Sequence, residues 1–96
     1  MFEGLTTKIS EALVTSAASI DVKTDLLRLT GTTSIATLVP HYGGGFSGVL
    51  FIVPTEGNTA TLTTGNISLA VTMPVARVTV LVFSKADNKW YPGAIS

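Results

Sequence analysis

The chain has 96 residues, with six basic and six acidic side chains and a formal net charge of zero. Only 12% of the residues are charged while 46% are hydrophobic, and the mean hydropathy is +0.51. A balanced and dispersed charge provides no basic patch, so we expect no nucleic-acid partner. It also leaves too few charged side chains to cover a small monomer, which indicates a surface buried against other protein.

Residues 1–19 are predicted to form an N-terminal arm ahead of a β domain over residues 20–96. The apolar residues Leu5, Ile9 and Leu13 recur every fourth position, which fits one face of a helix. Threonine and valine residues lower the helix propensity of this segment, and the same apolar residues also suit an extended strand. The arm is therefore expected to be helical or extended according to what it docks on, or to be a first helix that closes the β domain.

After Ala18, short apolar runs alternate with glycine, proline and asparagine turns at roughly 8–12-residue spacing, a pattern typical of all-β proteins. We therefore predict a small antiparallel β-sandwich or barrel, or an intertwined β-prism. Gly65-Asn66 is a candidate hairpin turn between two of the runs. The predicted runs, in chain order, are Leu26–Thr30, Ser34–Val39, Ser47–Val53, Ala60–Thr64, Ile67–Met73, Val75–Ser84 and Lys89–Tyr91.

Two of these runs, residues 49–53 and residues 78–83, are apolar at both odd and even positions, apart from Thr79. Successive side chains of a strand point to opposite faces, so each of these strands must be covered on both sides. One small chain covers one side with its own second layer, and the other side is expected to contact a neighbouring subunit. The alternative is that both runs are central strands of a compact sandwich. The predicted interface residues are Leu5, Ile9, Leu13, Leu50, Ile52, Val78, Val80, Val82 and Trp90.

No catalytic, cofactor or metal site is predicted. His41 is the only histidine, the chain has no cysteine, and no acidic residue lies near His41 in sequence. The glycine run Gly43–Gly45 leads into a predicted strand instead of a helix and has no lysine, so it is interpreted as a wide turn and not as a phosphate-binding loop. The apolar runs are shorter than the ~20 residues of a membrane helix, so no membrane partner is expected.

The aromatic pair Trp90-Tyr91 allows two interpretations. A carbohydrate platform needs carboxylates or amides beside the rings, and only Asp87 and Asn88 lie close in sequence. Trp90 follows a polar turn near the end of the chain, which favours a plug at the end of the β core.

Several segments together resemble a known family. These are Leu29–Pro40 (LTGTTSIATLVP), the glycine run, the two apolar runs, residues 64–70 (TGNISLA) and Lys89–Tyr91 (KWY). In this order they resemble small structural domains of tailed bacteriophages, which occur as capsid decoration (cement) proteins and as knob or trimerisation domains of fibres and spikes. The resemblance implies an all-β, trimer-forming virion protein without enzymatic activity.

The leading expectation is a homotrimeric decoration protein on the capsid surface, which binds the major capsid protein and stabilises the assembled lattice. In this interpretation the arm anchors the trimer, and the lack of shaft repeats favours a capsid location over a fibre. One alternative is a receptor- or glycan-binding tip of a tail fibre or spike, with Tyr42, Phe46, Trp90 or Tyr91 in contact with the receptor. Another is a small cellular oligomerisation module.

Overall fold

The computed structural model describes residues 10–41 and 48–95. These residues form strands, turns and bends without a helix, which confirms the all-β class predicted from the sequence; none of them lies in a helix that could cross a membrane. The strands in the described ranges are β1 (Glu11–Thr15), β2 (Ser19–Val22), β3 (Leu26–Thr30), β4 (Thr37–Pro40), β5 (Val49–Pro54), β6 (Thr59–Ala60), β7 (Thr72–Met73), β8 (Thr79–Ser84) and β9 (Lys89–Ile95).

The main sheet has five strands in the order β1-β3-β5-β8-β9. Its first three strands are mutually parallel, whereas β8 and β9 follow β5 in antiparallel order. Strands β2 and β4 form a second, parallel pair, and β6 and β7 form a short antiparallel pair. The sheet is thus mixed, where the turn-rich sequence pointed to antiparallel pairing throughout. The reason is that consecutive strands from β1 to β5 alternate between two sheets, so each sheet receives strands running the same way.

From β1 to β5 the chain follows a parallel coil. Its first turn is β1 and β2, its second turn is β3 and β4, and its third turn begins with β5. The register places Glu11 beside Leu26 in the main sheet and Ser19 beside Thr37 in the second sheet. The third turn continues past β6, where Thr61 pairs in parallel with Ile35 of the second turn.

Hydrogen bonds at the corners hold successive turns of the coil together. The buried hydroxyl of Ser16 accepts a hydrogen bond from the backbone N–H of Thr33 at 2.9 Å. The N–H of Gly31 donates to the carboxylate of Glu56 at 2.7 Å. Gly31 has a φ of +73°, and an added Cβ would lie 3.0 Å from the Ser16 hydroxyl, so both conformation and space favour glycine here. The corners of all three turns are thereby linked.

The core lies inside the coil, between the main sheet and the segments that connect its strands, which include β2 and β4. In β5 the alternation is clear, because Leu50, Ile52 and Pro54 are buried while the residues between them are half-buried. The accessible surface of the chain is 5231 Å², close to the roughly 5,200 Å² of a folded monomer of this mass. Burial of the core therefore requires no strand from another chain. The core residues are Ile20, Val22, Leu27, Leu29, Ile35, Leu38, Leu50, Ile52, Ile67, Met73, Leu81 and Trp90.

The part of the predicted arm that the structure describes belongs to this core domain. Strand β1 pairs with β3 along its whole length, and Ala12, Val14 and Ala17 pack against the core. The division into an arm over residues 1–19 and a domain over residues 20–96 therefore differs from the structure for residues 10–19. The segment has weak helix propensity, and it forms a strand because pairing with β3 satisfies half of its backbone groups and its apolar residues reach the core.

Gly65 and Asn66 do not form the tight hairpin turn that the sequence suggested. The hairpin is made instead by β6 and β7, with Thr59 opposite Met73, and Gly65-Asn66 lies in the long connection between them. There the two residues pack against the coil. A Cβ on Gly65 would lie 2.2 Å from the carbonyl oxygen of Ala36, so the approach of the two backbones requires glycine.

Candidate interaction surface

The side of the main sheet that points away from the core is a candidate interaction surface, which we call the outer face. Residues that are paired across neighbouring strands share a face of a sheet. Phe51 of β5 pairs with Leu26 of β3 and Val80 of β8, and Val82 of β8 pairs with Tyr91 of β9. The apolar members of the outer face are Leu13, Leu26, Val49, Phe51, Val53, Val80, Val82 and Tyr91.

Much of this apolar surface is accessible to solvent. Leu13 is 55% exposed, Val82 is 46% exposed and Tyr91 is 42% exposed, while the other members are half-buried. The outer face of an antiparallel or mixed sheet in a monomer is normally polar, whereas contiguous apolar patches mark interaction sites. The outer face therefore has the composition of a surface that contacts another protein.

Charged side chains are found at one side of this surface. The guanidinium of Arg28 on β3 lies 3.5 Å from the carboxylate of Glu11 on β1, and both side chains are about half exposed. An exposed pair of this kind contributes little to stability, about 0–1 kcal/mol. Its arrangement beside apolar strands β5 and β8 resembles the polar rim and apolar centre of a protein interface.

Three of the predicted interface residues lie on the outer face, namely Leu13, Val80 and Val82. Val78 is half-buried and lies just before β8. Leu5 and Ile9 lie outside the described residues. The apolar character of both faces in β5 and β8, which indicated an interface from the sequence alone, is thus present in the structure with one face in the core and the other on the surface.

The remaining predicted interface residues, Leu50, Ile52 and Trp90, are 0% exposed and belong to the core of this chain. Their immediate neighbours point outward instead. Phe51 is a surface member that the sequence did not identify, and Tyr91 was named only as a possible receptor contact and not as an interface residue. Both members of each neighbouring pair are apolar, and hydrophobicity therefore could not tell which of the two faces inward. The packing of the second layer against the sheet separates them, and it becomes visible only in the structure.

Trp90 occupies the position of a core plug. Its indole N–H donates a hydrogen bond to the carbonyl of Leu38 at 2.9 Å, and its ring lies 5.1 Å from the ring of Phe83 at a tilted angle of 54°. Tilted aromatic pairs at this separation are favourable. Because Trp90 is fully buried, it cannot form part of a carbohydrate platform on the surface.

Tyr91 and Asp87 meet at the turn between β8 and β9. The phenol of Tyr91 donates a hydrogen bond to the Asp87 carboxylate, and both side chains are exposed. This hydrogen bond raises the pKa of Tyr91 above its ordinary value of 10.0, with smaller contributions from burial and from the charge of Asp87. An exposed aromatic ring beside a carboxylate is therefore present on the outer face.

His41 has an acidic neighbour that is distant in sequence. Its Nε2 lies 3.5 Å from the carboxylate of Asp21, because His41 directly follows β4 and Asp21 lies on the paired strand β2. Both side chains are exposed. Among the described residues no group of three or more histidine or acidic side chains is arranged to hold a metal ion. The glycine run Gly43–Gly45 lies outside the described residues.

The outer face and the strand topology carry the functional argument. No family model, curated protein or solved structure matches this chain.

Proposed function

We propose that this chain is a non-enzymatic structural protein of a virus particle, which forms a homotrimer through its outer face and binds the major capsid protein on the capsid surface. The observation that supports this proposal most directly is the apolar outer face of a sheet whose other side is already a complete core. The order of the sequence motifs, which resembles phage decoration and knob domains, points to the kind of particle.

Association through the outer face is favourable for a simple reason. Each Å² of apolar surface that leaves water stabilises a complex by about 25 cal/mol before the costs of association. The chain has a net charge of zero, so copies do not repel one another strongly over long distances. When one part of the outer face contacts a different part of the next copy, successive contacts close into a ring if the rotation between copies is suitable. A ring of three copies is the predicted trimer.

Attachment to a capsid follows from the same kind of contact. A trimer that binds the assembled lattice, and not the free capsid subunits, stabilises the lattice by mass action. No catalysis is involved, and the trimer acts through its affinity alone.

The oligomeric state is the first test, and Val82→Asp is the diagnostic variant. Val82 is exposed in the single chain, so the new carboxylate stays solvated in the monomer and would be buried only in the trimer. We expect a trimer for the natural chain and a folded monomer for Val82→Asp by light scattering coupled to size-exclusion chromatography. Val39→Asp is the matched control, because Val39 is 36% exposed on β4, outside the main sheet, and should leave the trimer intact. A natural chain that remains a 10.0 kDa species at micromolar concentration contradicts the proposal.

The location in the particle is the second test. Quantitative mass spectrometry of purified particles should give a copy number comparable with that of the major capsid protein. A copy number comparable with that of tail proteins would place the chain in a fibre or spike instead. Co-sedimentation of trimers with particles stripped of the native protein then measures the affinity for the lattice.

A glycan-binding tip of a tail fibre or spike is the second candidate function, and the pairing of Tyr91 with Asp87 favours it. Sugar-binding sites combine an exposed ring, which packs on the sugar face, with a carboxylate that accepts hydrogen bonds from hydroxyl groups. Carbohydrate-array binding that is lost in Tyr91→Ala and retained in Val39→Asp would support this candidate. The absence of any binding on the array would leave the capsid role as the better proposal.

A further inference from the structure

The parallel part of the main sheet and the second sheet both end at the first turn of the coil. Among the strands of residues 10–41 and 48–95, β1 is the outermost strand of the main sheet, and β2 is the outermost strand of the second sheet on the same side. Both belong to the first turn of the coil. We call the free edges of β1 and β2, with the space between them, the open end.

Half of the backbone groups of β1 point away from its only described neighbour. The carbonyl of Ser10 accepts from the N–H of Leu26, and the N–H of Ser16 donates to the carbonyl of Thr30. In a parallel ladder the residues alternate, so the even-numbered residues of β1 bond to β3. The N–H and C=O groups of Glu11, Leu13 and Thr15 therefore face the open end.

Strand β2 presents its backbone in the same way. The carbonyl of Ala18 accepts from the N–H of Thr37, and the carbonyl of Val22 accepts from the N–H of His41. The even-numbered residues of β2 thus bond to β4, and the backbone groups of Ser19 and Asp21 face the open end. Neither strand carries a proline or a lysine, two of the residues that natural proteins use to block an edge, and each strand has one charged residue, Glu11 or Asp21.

A hollow of about 340 Å³ lies between the two free edges and opens to solvent. Its apolar lining consists of Ala12 and Val14 from β1, Ile20 from β2 and Leu27 from β3. Its polar lining consists of Thr15, Ser19, Asp21, Lys23 and Thr24. In the interior of the coil the corresponding space is filled by the side chains of the next turn. The hollow therefore lies where a further turn of the coil would lie, and part of its lining is apolar.

The opposite edge of the second sheet is closed by side chains. The N–H of Leu38 on β4 donates to Oδ1 of Asn66 at 2.9 Å, and its carbonyl accepts from Nδ2 of the same residue at 2.7 Å. Trp90 donates to that carbonyl as well. The chain thus terminates its coil on the side of β4 with a side-chain amide in place of a strand, and its described residues place no such group on β2.

We infer that the open end binds one further strand–corner–strand turn of a parallel β coil, supplied by a partner protein. The first strand of this turn runs parallel to β1 and bonds to Glu11, Leu13 and Thr15. Its second strand runs parallel to β2 and bonds to Ser19 and Asp21. Apolar side chains at alternate positions of both strands fill the hollow.

A parallel turn is the occupant that fits both edges at once. A single strand pairs with one edge and leaves the hollow uncovered. A strand–corner–strand segment repeats the pairing that β3 and β4 already make with β1 and β2 from the other side. The protein is then the terminal unit of a longer coil, with one end closed by its own residues. This inference does not depend on the outer face and therefore stands or falls separately from the proposed function.

The test inserts a second copy of residues 11–25 directly before Glu11 in the full chain. This segment runs from Glu11 to the residue before its register partner Leu26, so it supplies one turn with the spacing of the main sheet. Amide hydrogen exchange at Glu11, Leu13 and Thr15 of the original turn should slow by about tenfold or more, because each amide gains a hydrogen-bond partner. An insertion of equal length made of glycine and serine should produce no slowing.

A proline substitution at the original Leu13 gives the complementary test. The N–H of Leu13 faces away from β3, so Leu13→Pro leaves the ladder within the coil intact and removes the central donor at the open end. The variant should fold and should abolish the slowing at Glu11 and Thr15 caused by the inserted turn. Leu13→Thr keeps the N–H, so the slowing at Glu11 and Thr15 should persist in this variant.

If the insertion variant does not fold, the test uses the natural chain with an added synthetic peptide of residues 11–25. Slower exchange at Glu11, Leu13 and Thr15 with peptide supports the inference, and unchanged exchange overturns it. Slow exchange in the natural chain before any addition also overturns it, because the edge is then already covered. In that case, exchange after removal of residues 1–9 would show whether this chain covers the edge of β1. Exchange after dilution to the monomer would show whether a second copy covers it.

Discussion

Both ends of the coil have strand edges with outward N–H and C=O groups, but these groups have different partners at the two ends. We call the edge of β4, with Asn66 and Trp90, the closed end. At the closed end, Asn66 and Trp90 satisfy the edge of β4, and β8 and β9 extend the main sheet in antiparallel order. At the open end, no described strand pairs with the outward backbone groups of β1 and β2, and a partly apolar hollow lies between the two strands. The difference shows that an asparagine side chain can replace a strand at an edge, because its amide offers one donor and one acceptor as a peptide group does.

Among the variants that compare the two ends, Trp90→Ala at the closed end is expected to cause the largest loss of stability. Trp90 is fully buried and bonds to Leu38, so its truncation should lower the free energy of unfolding by about 3–5 kcal/mol. Denaturant unfolding should be followed by circular dichroism, since the variant lacks the only tryptophan. Tyr91→Ala, at the neighbouring exposed position, is the control and should cost much less. Equal losses would mean that the two residues do not lie on opposite faces.

Gly65→Ala tests the close approach at the closed end. The added Cβ would lie 2.2 Å from the Ala36 carbonyl oxygen and from the Thr37 hydroxyl, so the two segments must move apart. We expect a loss of about 3 kcal/mol in the free energy of unfolding, at the upper end of typical overpacking costs. Gly93→Ala is the control, because its Cβ would make only an ordinary contact with the Val80 carbonyl at 3.4 Å. A neutral Gly65→Ala would contradict the packing of this connection against the coil.

Asn66→Asp tests whether the amide acts as a strand. At neutral pH the carboxylate still accepts from Leu38 N–H, but an oxygen faces the Leu38 carbonyl in place of the donor, and we expect a loss of about 2 kcal/mol. Repulsion raises the pKa of the new carboxyl above the ordinary value of ~3.9, and the protonated form donates again. The loss should therefore be present at neutral pH and shrink as the pH falls through the raised pKa, in unfolding curves recorded across this range.

The control for this variant is Asn58→Asp. The side-chain oxygen of Asn58 accepts from the N–H of Val75 at 2.9 Å in an exposed position, and a carboxylate can accept the same bond. Asn58→Asp should therefore change the free energy of unfolding by less than about 0.5 kcal/mol. A similar cost for both variants would point to a general effect of added charge.

At the open end, neighbouring positions of β1 should respond differently to the same change. Val14 packs against the core, and Val14→Thr should cost about 1–2 kcal/mol because a hydroxyl replaces a half-buried methyl group. Leu13 points outward and is 55% exposed, so Leu13→Thr should stay within about 0.5 kcal/mol. Thermal unfolding of both variants in parallel checks the assignment, and a reversed order would show that β1 is paired in the opposite register.

The smallest effect concerns the titration of Tyr91 in β9. The hydrogen bond to Asp87 holds the pKa of Tyr91 above 10.0, and Asp87→Ala should lower it towards that value. The folded-state pKa is raised, so the associated stability is present below pH 10.0 and is lost as the pH rises through the raised pKa. Phenolate absorbance in a Tyr42→Phe background reports Tyr91 alone, since the chain has two tyrosines. An unchanged pKa in Asp87→Ala would contradict this contact.

The sequence was sufficient to predict the all-β class and to identify two strands that are apolar on both faces. Residues 49–53 and 78–83 are apolar on both faces, and they form the adjacent central strands β5 and β8. The same property prevented the sequence from assigning faces, since Leu50 and Phe51 are equally able to be buried. Only the packing of the second layer decides that Leu50 points inward.

The parallel coil and its closure could not be predicted from local patterns. Turn residues such as Gly65-Asn66 suggest hairpins, because the signals for antiparallel turns are local. The bonds of Asn66 to Leu38 join residues far apart in sequence, and nothing near Asn66 indicates its partner. The placement of Glu11–Thr15 in the sheet was missed for the same reason, since its partner strand β3 determines its conformation.

The linked corners of the coil have a consequence for the order in which the protein folds. Ser16 is synthesised before its partner Thr33, and Gly31 before its partner Glu56, so each corner lacks its bonding partner until the next turn exists. Parallel pairing between distant strands is slow compared with hairpin formation. At about 5–20 residues per second, Trp90 leaves the site of synthesis roughly 4–15 s after Ser16. The nascent chain therefore exposes the apolar side chains of its first turn for seconds, and a general chaperone that binds such segments would act on this part of the protein.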